Sequence, residues 1–301
     1  MASASLQQRT PAWHAARKGK LTASNLGAAL GLCPWTTRQQ AFDRAMGLEK
    51  FTGEVFNAIL GAHFAGACVR VSEWCECDGI CNGACHRCIE KARALRKWRA
   101  RVAGAGNDAT RWGTQNEANG ILAYTAHTGN LVQNTGLHVH PYTSWLAGSP
   151  DGLIGTEGML EVKCPFWRRK GGSRVHTDVP PHYYMQVNLC MECSGRDWCD
   201  FISWAPEGYR IFRITRDKDL HEKLTPYYLN FFAAMQRMAK TPPVLSEGDK
   251  EFIQTEVDAS MKAHIMYDFW AKADLQQSPP ETEESDDDLP PAKRTKSYPV
   301  E

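Results

Sequence analysis

Helical and extended spacings of apolar positions alternate along this chain. In residues 11–50, Thr22 or Ser24 can cap a helix that starts near Asn25, and Pro34 separates it from a second helix through Ala41 and Met46. From Gln115 to Thr128 helix formers run up to Gly129, which suits a left-handed C-cap. The pattern then shortens: residues 131–141, 144–155 and 158–165 are β-rich, broken by Gly and Pro, and predict a strand meander. His182 to Cys193 predicts a helix, residues 200–206 and 209–215 two strands, Lys218 to Met238 a long amphipathic helix, and residues 241–270 a last helical piece. The order helix, three strands, helix, two strands, helix predicts an α/β core in which a central mixed sheet is flanked by helices.

Composition narrows the class. At 301 residues the chain exceeds the usual single domain, so one large domain with an insertion is expected. With 43% hydrophobic and 23% charged residues it is neither wholly disordered, collagenous nor an integral membrane protein. No apolar run approaches a membrane span and the first residues lack the apolar stretch of a secretory signal, so an intracellular protein is expected. The division expected is 1–50, an N-terminal helical part; 51–110, a Cys-rich, basic insertion; 111–240, the core; 241–275, a C-terminal helical segment; and 276–301, a disordered acidic tail with a basic cluster. The net charge of +1 hides an asymmetry, because residues 275–301 hold seven acids against three bases. The body is therefore modestly basic, which gives a polyanionic partner only slight support.

Six of the eleven cysteines crowd into residues 68–88, unlike a disulfide framework. Within them Cys75, Cys77, Cys81, Cys85, His86 and Cys88 have the ligand types and close spacing of a structural Zn²⁺ knuckle, although no standard paired spacing fits. An iron–sulfur cluster and metal-free thiols are the alternatives. Cys33, Cys164, Cys190, Cys193 and Cys199 read as small buried hydrophobes. Lys91 to Arg101 holds six bases and Trp98, either a nucleic-acid surface or a solvated helix, and Lys293, Arg294 and Lys296 resemble a short nuclear-import signal.

The sharpest feature is Ser149-Pro150-Asp151-Gly152 followed by Glu161-Val162-Lys163. Alternate side chains of a strand share a face, so Glu161 and Lys163 point one way while Leu160 and Val162 point into the core. A tight Pro-Asp-Gly turn on the preceding strand can bring Asp151 against them. Two carboxylates and a lysine on one spot suit a hard divalent cation plus a group that orients or deprotonates water, the requirement of metal-assisted phosphodiester hydrolysis, and the Val162 carbonyl could add an oxygen ligand. The bland alternative is a hairpin with a surface ion pair.

These residues match the signature of the PD-(D/E)XK nucleases, and their surroundings resemble the branch that holds phage lambda exonuclease and the YqaJ-type viral recombinases. The likeness lies in ordered blocks: Ala12-Trp13-His14 to Arg17 with Leu21-Thr22-Ala23-Ser24; Trp112 to Glu117; Ser149 to Leu153; Leu160 to Phe166; and Tyr184 to Val187. The resemblance implies a restriction-endonuclease-like core in which Asp151, Glu161 and the Val162 carbonyl hold Mg²⁺ or Mn²⁺. Lys163 would position or deprotonate the attacking water, and Glu117 would join the metal site and help a second ion. Gln186 would support the lysine or the water. It further implies that Arg17 and Ser24, with Ser149 and Arg169, bind a terminal 5′-phosphate, and that a ring-shaped homotrimer could form, a prospect the insertion puts in doubt.

The function expected is a Mg²⁺-dependent deoxyribonuclease, a 5′-to-3′ exonuclease on double-stranded DNA ends acting in recombination or viral genome processing. A partner single-strand annealing protein is left open. The alternatives are an endonuclease or RNA-degrading nuclease on the same scaffold and, from another class, a non-catalytic DNA-binding recombination module.

Overall fold

The computed structural model describes residues 6–47, 108–166 and 175–272. Arg169, the cysteine cluster with His86, the basic run from Lys91 and the acidic tail lie outside the described residues. In chain order the elements are α1 (Pro11–Arg17), β1 (Leu21–Thr22), α2 (Ala23–Ala29), α3 (Arg38–Met46), α4 (Asp108–Thr128), β2 (Val132–Gln133), β3 (His138–Val139), β4 (Leu146–Gly148), β5 (Gly152–Ile154), β6 (Gly158–Lys163), α5 (Pro181–Ser194), β7 (Trp198–Ala205), β8 (Gly208–Thr215), α6 (Lys218–Gln236), α7 (Glu247–His264) and β9 (Ile265–Lys272).

Local chemistry sets most boundaries. The Thr10 hydroxyl accepts from the Trp13 amide to start α1, and Thr37 and Gln40 form a reciprocal capping box on α3. Gly129, in the left-handed region at φ 72°, follows the end of α4 as its composition predicts. That helix begins at Asp108, upstream of the Gln115 start expected from sequence.

The strands form a six-stranded sheet ordered β2-β5-β6-β7-β8-β9 and a three-stranded sheet ordered β1-β4-β3. The expected mixed α/β core is present, with one refinement: the meander is divided, so that β4 and β5, joined by the Ser149–Asp151 turn, belong to different sheets. Within the large sheet only β6 and β7 run parallel, with Glu161 opposite Phe201 and Lys163 opposite Ser203. A parallel pair needs a crossover rather than a hairpin, and the connection carrying α5 supplies it.

The C-terminal segment departs from the helical expectation. Helix α7 stops at His264, and residues 265–272 form β9, antiparallel to β8. Their β-branched and aromatic sequence suits a strand, and the open edge of β8 offers the ladder that decides between the two forms.

Strand β6 is covered on both faces. Leu160 and Val162 join a buried cluster with Tyr124, Ile202 and Ile211 on the α4 side, while Met159 joins the larger core with Tyr184, Met185 and Val187 of α5. A Cβ on Gly120 of α4 would come within 2.5 Å of Val162 Cγ1, so only glycine permits so close an approach. The Glu161 face is therefore not a solvent face, and the surface ion pair of the bland reading is excluded: Glu161 is 1% exposed.

Candidate active site

Asp151 lies in the turn before β5, where its amide donates to the Leu160 carbonyl at 3.0 Å and its Oδ2 accepts from the Val162 amide at 2.8 Å. A strand residue's N–H and C=O face the same edge, so the Val162 carbonyl faces the Asp151 side. Glu161 Oε1 accepts from Lys163 Nζ and from Gln186 Nε2 of α5, each at 2.5 Å. Its Oε2 is buried without a hydrogen-bond partner. The structure thus brings Asp151, Glu161, Lys163 and Gln186 together.

Electrostatics follows from the burial. Loss of water, then the Glu161 charge, push the Asp151 carboxyl well above the usual carboxylate range, against the pull of Lys163. Burial likewise raises Glu161, again opposed by Lys163. For Lys163 burial disfavours the ammonium, but Glu161, Tyr183 and Asp151 outweigh it and hold its pKa above the ordinary lysine value, so the side chain is a cation. Its Nζ lies 4.7 Å from the centre of the Tyr183 ring. Two acids sharing one ammonium in a dry site leave an excess of negative charge, and a buried carboxylate oxygen without a donor is an open ligand position. The Asp151, Glu161 and Val162 oxygens fit a hard divalent cation on both counts.

Glu117 projects from α4 near enough that its charge raises Asp151, Glu161 and the Cys164 thiol. Its Oε2 accepts from the Arg9 guanidinium, an ion pair that the sequence did not signal. Among the described residues no three His, Cys, Asp or Glu side chains are gathered as a ready-made metal cluster.

Arg17, at the end of α1, donates to Ser24 Oγ at 2.9 Å and to Thr22 Oγ1 at 3.3 Å. Its guanidinium carbon lies 4.0 Å over the Trp13 ring, and Trp13 Nε1 donates to Ser149 Oγ at 2.9 Å. Burial pulls the Arg17 pKa down. Arg17, Ser24 and Ser149 are thereby joined, and Ser149 is two residues from Asp151, a backbone span of at most about 7 Å. Trp13 and Thr22 were not singled out as site residues by the sequence. Trp13 could have been, since it stands one helical turn before Arg17 and so shares its face.

A further pair missed by sequence lies beside Lys163. Ser203, its register partner on β7, accepts from the His176 amide at 2.8 Å and lies 2.9 Å from His176 Nδ1. Burial, then Lys163, lower the His176 pKa to about 4, so the imidazole is neutral at physiological pH. Cys164, Cys190, Cys193 and Cys199 are buried as expected, whereas Cys33 is only half-buried. Burial pushes the Cys164 thiol up to about 12, the opposite of an activated nucleophile.

Residues 12–197 match the family described as the YqaJ-like viral recombinase domain. A curated relative, Uncharacterized protein R354 of Acanthamoeba polyphaga mimivirus, is 29% identical over 110 residues, 32% of this chain and 20% of that protein. The chain thus spans about a fifth of that relative's length. Among solved structures, an alkaline exonuclease (LHK-Exo) from Laribacter hongkongensis is similar at 23% identity and a TM-score of 0.43, covering 83% of this chain and 99% of that one. The same enzyme in complex with dAMP gives 22% and 0.43 with the same coverage. A phage related exonuclease from Haemophilus somnus 129PT gives 13% and 0.37, covering 78% and 96%. Among the described residues no helix is long and apolar enough to cross a membrane.

Proposed function

Because the chain belongs to the YqaJ-like viral recombinase family, we propose that it is a divalent-metal-dependent deoxyribonuclease that degrades duplex DNA from its ends in the 5′-to-3′ direction, during recombination or viral genome processing. One observation carries this reading. Glu161, grouped with Asp151 and a cationic Lys163, keeps a buried oxygen without a donor, an arrangement that costs stability and that nucleic-acid binding alone does not require.

Asp151, Glu161 and the Val162 carbonyl would hold Mg²⁺ or Mn²⁺, with Glu117 assisting a second ion. When bound, such ions polarise the scissile phosphate and lower the pKa of water. The chain's own groups do the rest. Gln186 and Lys163 fix the Glu161 rotamer by occupying Oε1, which leaves Oε2 for the ligand. Lys163, held on Glu161, would position or deprotonate the attacking water and neutralise phosphate charge. Arg17, Ser24 and Ser149 offer paired charge-assisted donors suited to a terminal phosphate monoester. Ser149 stands two residues from Asp151, which favours action at ends over internal cleavage, and the family resemblance adds Arg169 as a further phosphate donor.

The test is a panel of labelled duplexes with Mg²⁺ and the intact protein. Linear 5′-phosphorylated DNA is expected to be degraded faster than 5′-hydroxyl DNA, and covalently closed circles not at all. Equal degradation of all three, or preferential loss of RNA duplex, overturns the end-specific DNA reading. Mass measurement in solution decides between a monomer and the trimer that the family resemblance implies.

A further inference from the structure

The segment before α1 is sewn onto the site. Gln7 bridges Gly136, in the connection between β2 and β3, where a Cβ would lie 1.9 Å from the Leu6 carbonyl oxygen, so that connection accepts this segment only through a glycine. Gln8 Nε2 donates to the Pro150 carbonyl at 2.7 Å, within the turn that carries Asp151. The Thr10 hydroxyl donates to the Gln7 carbonyl at 2.8 Å, closing a bend. At its apex Arg9 has a left-handed backbone, φ 64°, which an arginine adopts only when its surroundings enforce it. The outcome is that the Arg9 guanidinium sits on Glu117 Oε2. Arg9 stays half-exposed and Glu117 less so, which leaves the guanidinium free to withdraw into water.

We propose that Arg9 is a displaceable counter-ion that holds the Glu117 carboxylate until a divalent cation takes it. The inference rests on the metal-dependent reading above and deepens it. A guanidinium and a divalent ion compete for the same carboxylate oxygen, so loading of the second ion releases Arg9 toward solvent, where it can meet a DNA phosphate. The strap keeps it within reach, because Gln7, Gln8 and Thr10 are tied to elements that do not depend on the ion pair. Arg9 is thus a positioning residue for Glu117 and a competitor of the metal.

Mn²⁺ binding to the full chain without DNA, read by electron paramagnetic resonance of the free ion, tests this. Arg9→Gln is expected to tighten the weaker Mn²⁺ site about two- to fivefold, the scale of a lost exposed ion pair, while Arg9→Lys stays close to wild type. Glu117→Gln removes that site, and adding Arg9→Gln to it has no further effect on the remaining one. Unchanged or weaker binding by Arg9→Gln, with wild type binding Mn²⁺ and degrading DNA, overturns the counter-ion role alone. Absence of Mn²⁺ binding by folded wild type sinks the metal-dependent reading itself. Circular dichroism of each variant confirms the native fold against which binding is read.

Discussion

The two faces of the large sheet each bury a carboxylate beside a cation, and the two clusters differ in one respect. On the α4 face Asp200 of β7 accepts from Tyr124 OH at 2.6 Å and from Arg213 Nε and NH2 at 2.8 Å each, while Arg213 stacks 4.0 Å from the Trp198 ring. Each Asp200 oxygen has a donor. On the α5 face Glu161 is equally buried, yet all its donors converge on one oxygen and the other has none. A satisfied buried pair in a network holds a fold together. A pair left one donor short keeps the electrostatic strain that a ligand can relieve. The contrast supports reading the Asp200 cluster as structural and the Glu161 cluster as the proposed site of chemistry.

Substitutions should separate the two. On the Glu161 side, Lys163→Ala is expected to lower Mg²⁺-dependent nucleotide release by the folded fraction by roughly 10²–10⁴-fold; release by the folded fraction that stays near wild type erases the distinction. On the other face Asp200→Ala strands Arg213 and Tyr124 and should cost about 2–3 kcal/mol by urea denaturation, less than a wholly buried pair because Arg213 reaches solvent. Nucleotide release by the folded fraction should remain near that of wild type. The phosphate pocket lies between these extremes. Arg17→Gln should erase most of the preference for 5′-phosphorylated over 5′-hydroxyl ends, a change of about tenfold, seen as the ratio of initial rates on the two substrates.

The smallest effect concerns pH. Burial and Glu161 raise the Asp151 pKa above its value in the unfolded chain. A raised carboxyl contributes stability that is complete below the ordinary carboxylate range and is lost as pH climbs through the raised folded value. Metal-free Asp151→Asn should therefore melt above wild type at neutral pH, with the gap closing in acid, because the amide oxygen can still accept from Val162. A gap that widens in acid has the wrong sign and removes the argument that Asp151 is strained.

Much of the chemistry was legible because it is local. Strand alternation put Glu161 and Lys163 on one side, the Pro-Asp-Gly turn marked Asp151, and Gly129 marked the end of α4. What escaped were contacts between distant positions: Arg9 with Glu117, 108 residues apart, Trp13 with Ser149, 136 apart, and Tyr124 with Asp200, 76 apart. No periodicity records which helix face will lie on which strand. The same limit explains β9, whose form depends on an open strand edge, and the burial of Glu161, whose neighbour Met159 shares its face and points into the larger core.

The central claim is that Glu161, buried with an open oxygen beside Lys163, is catalytic machinery. It is tested most directly by release of acid-soluble nucleotides from a linear 5′-phosphorylated duplex, comparing wild type with folded Glu161→Gln in Mg²⁺ and in excess chelator. The account predicts release by wild type in Mg²⁺ alone and none by the variant under either condition. Equal release by the two proteins, or release by wild type that survives the chelator, contradicts it.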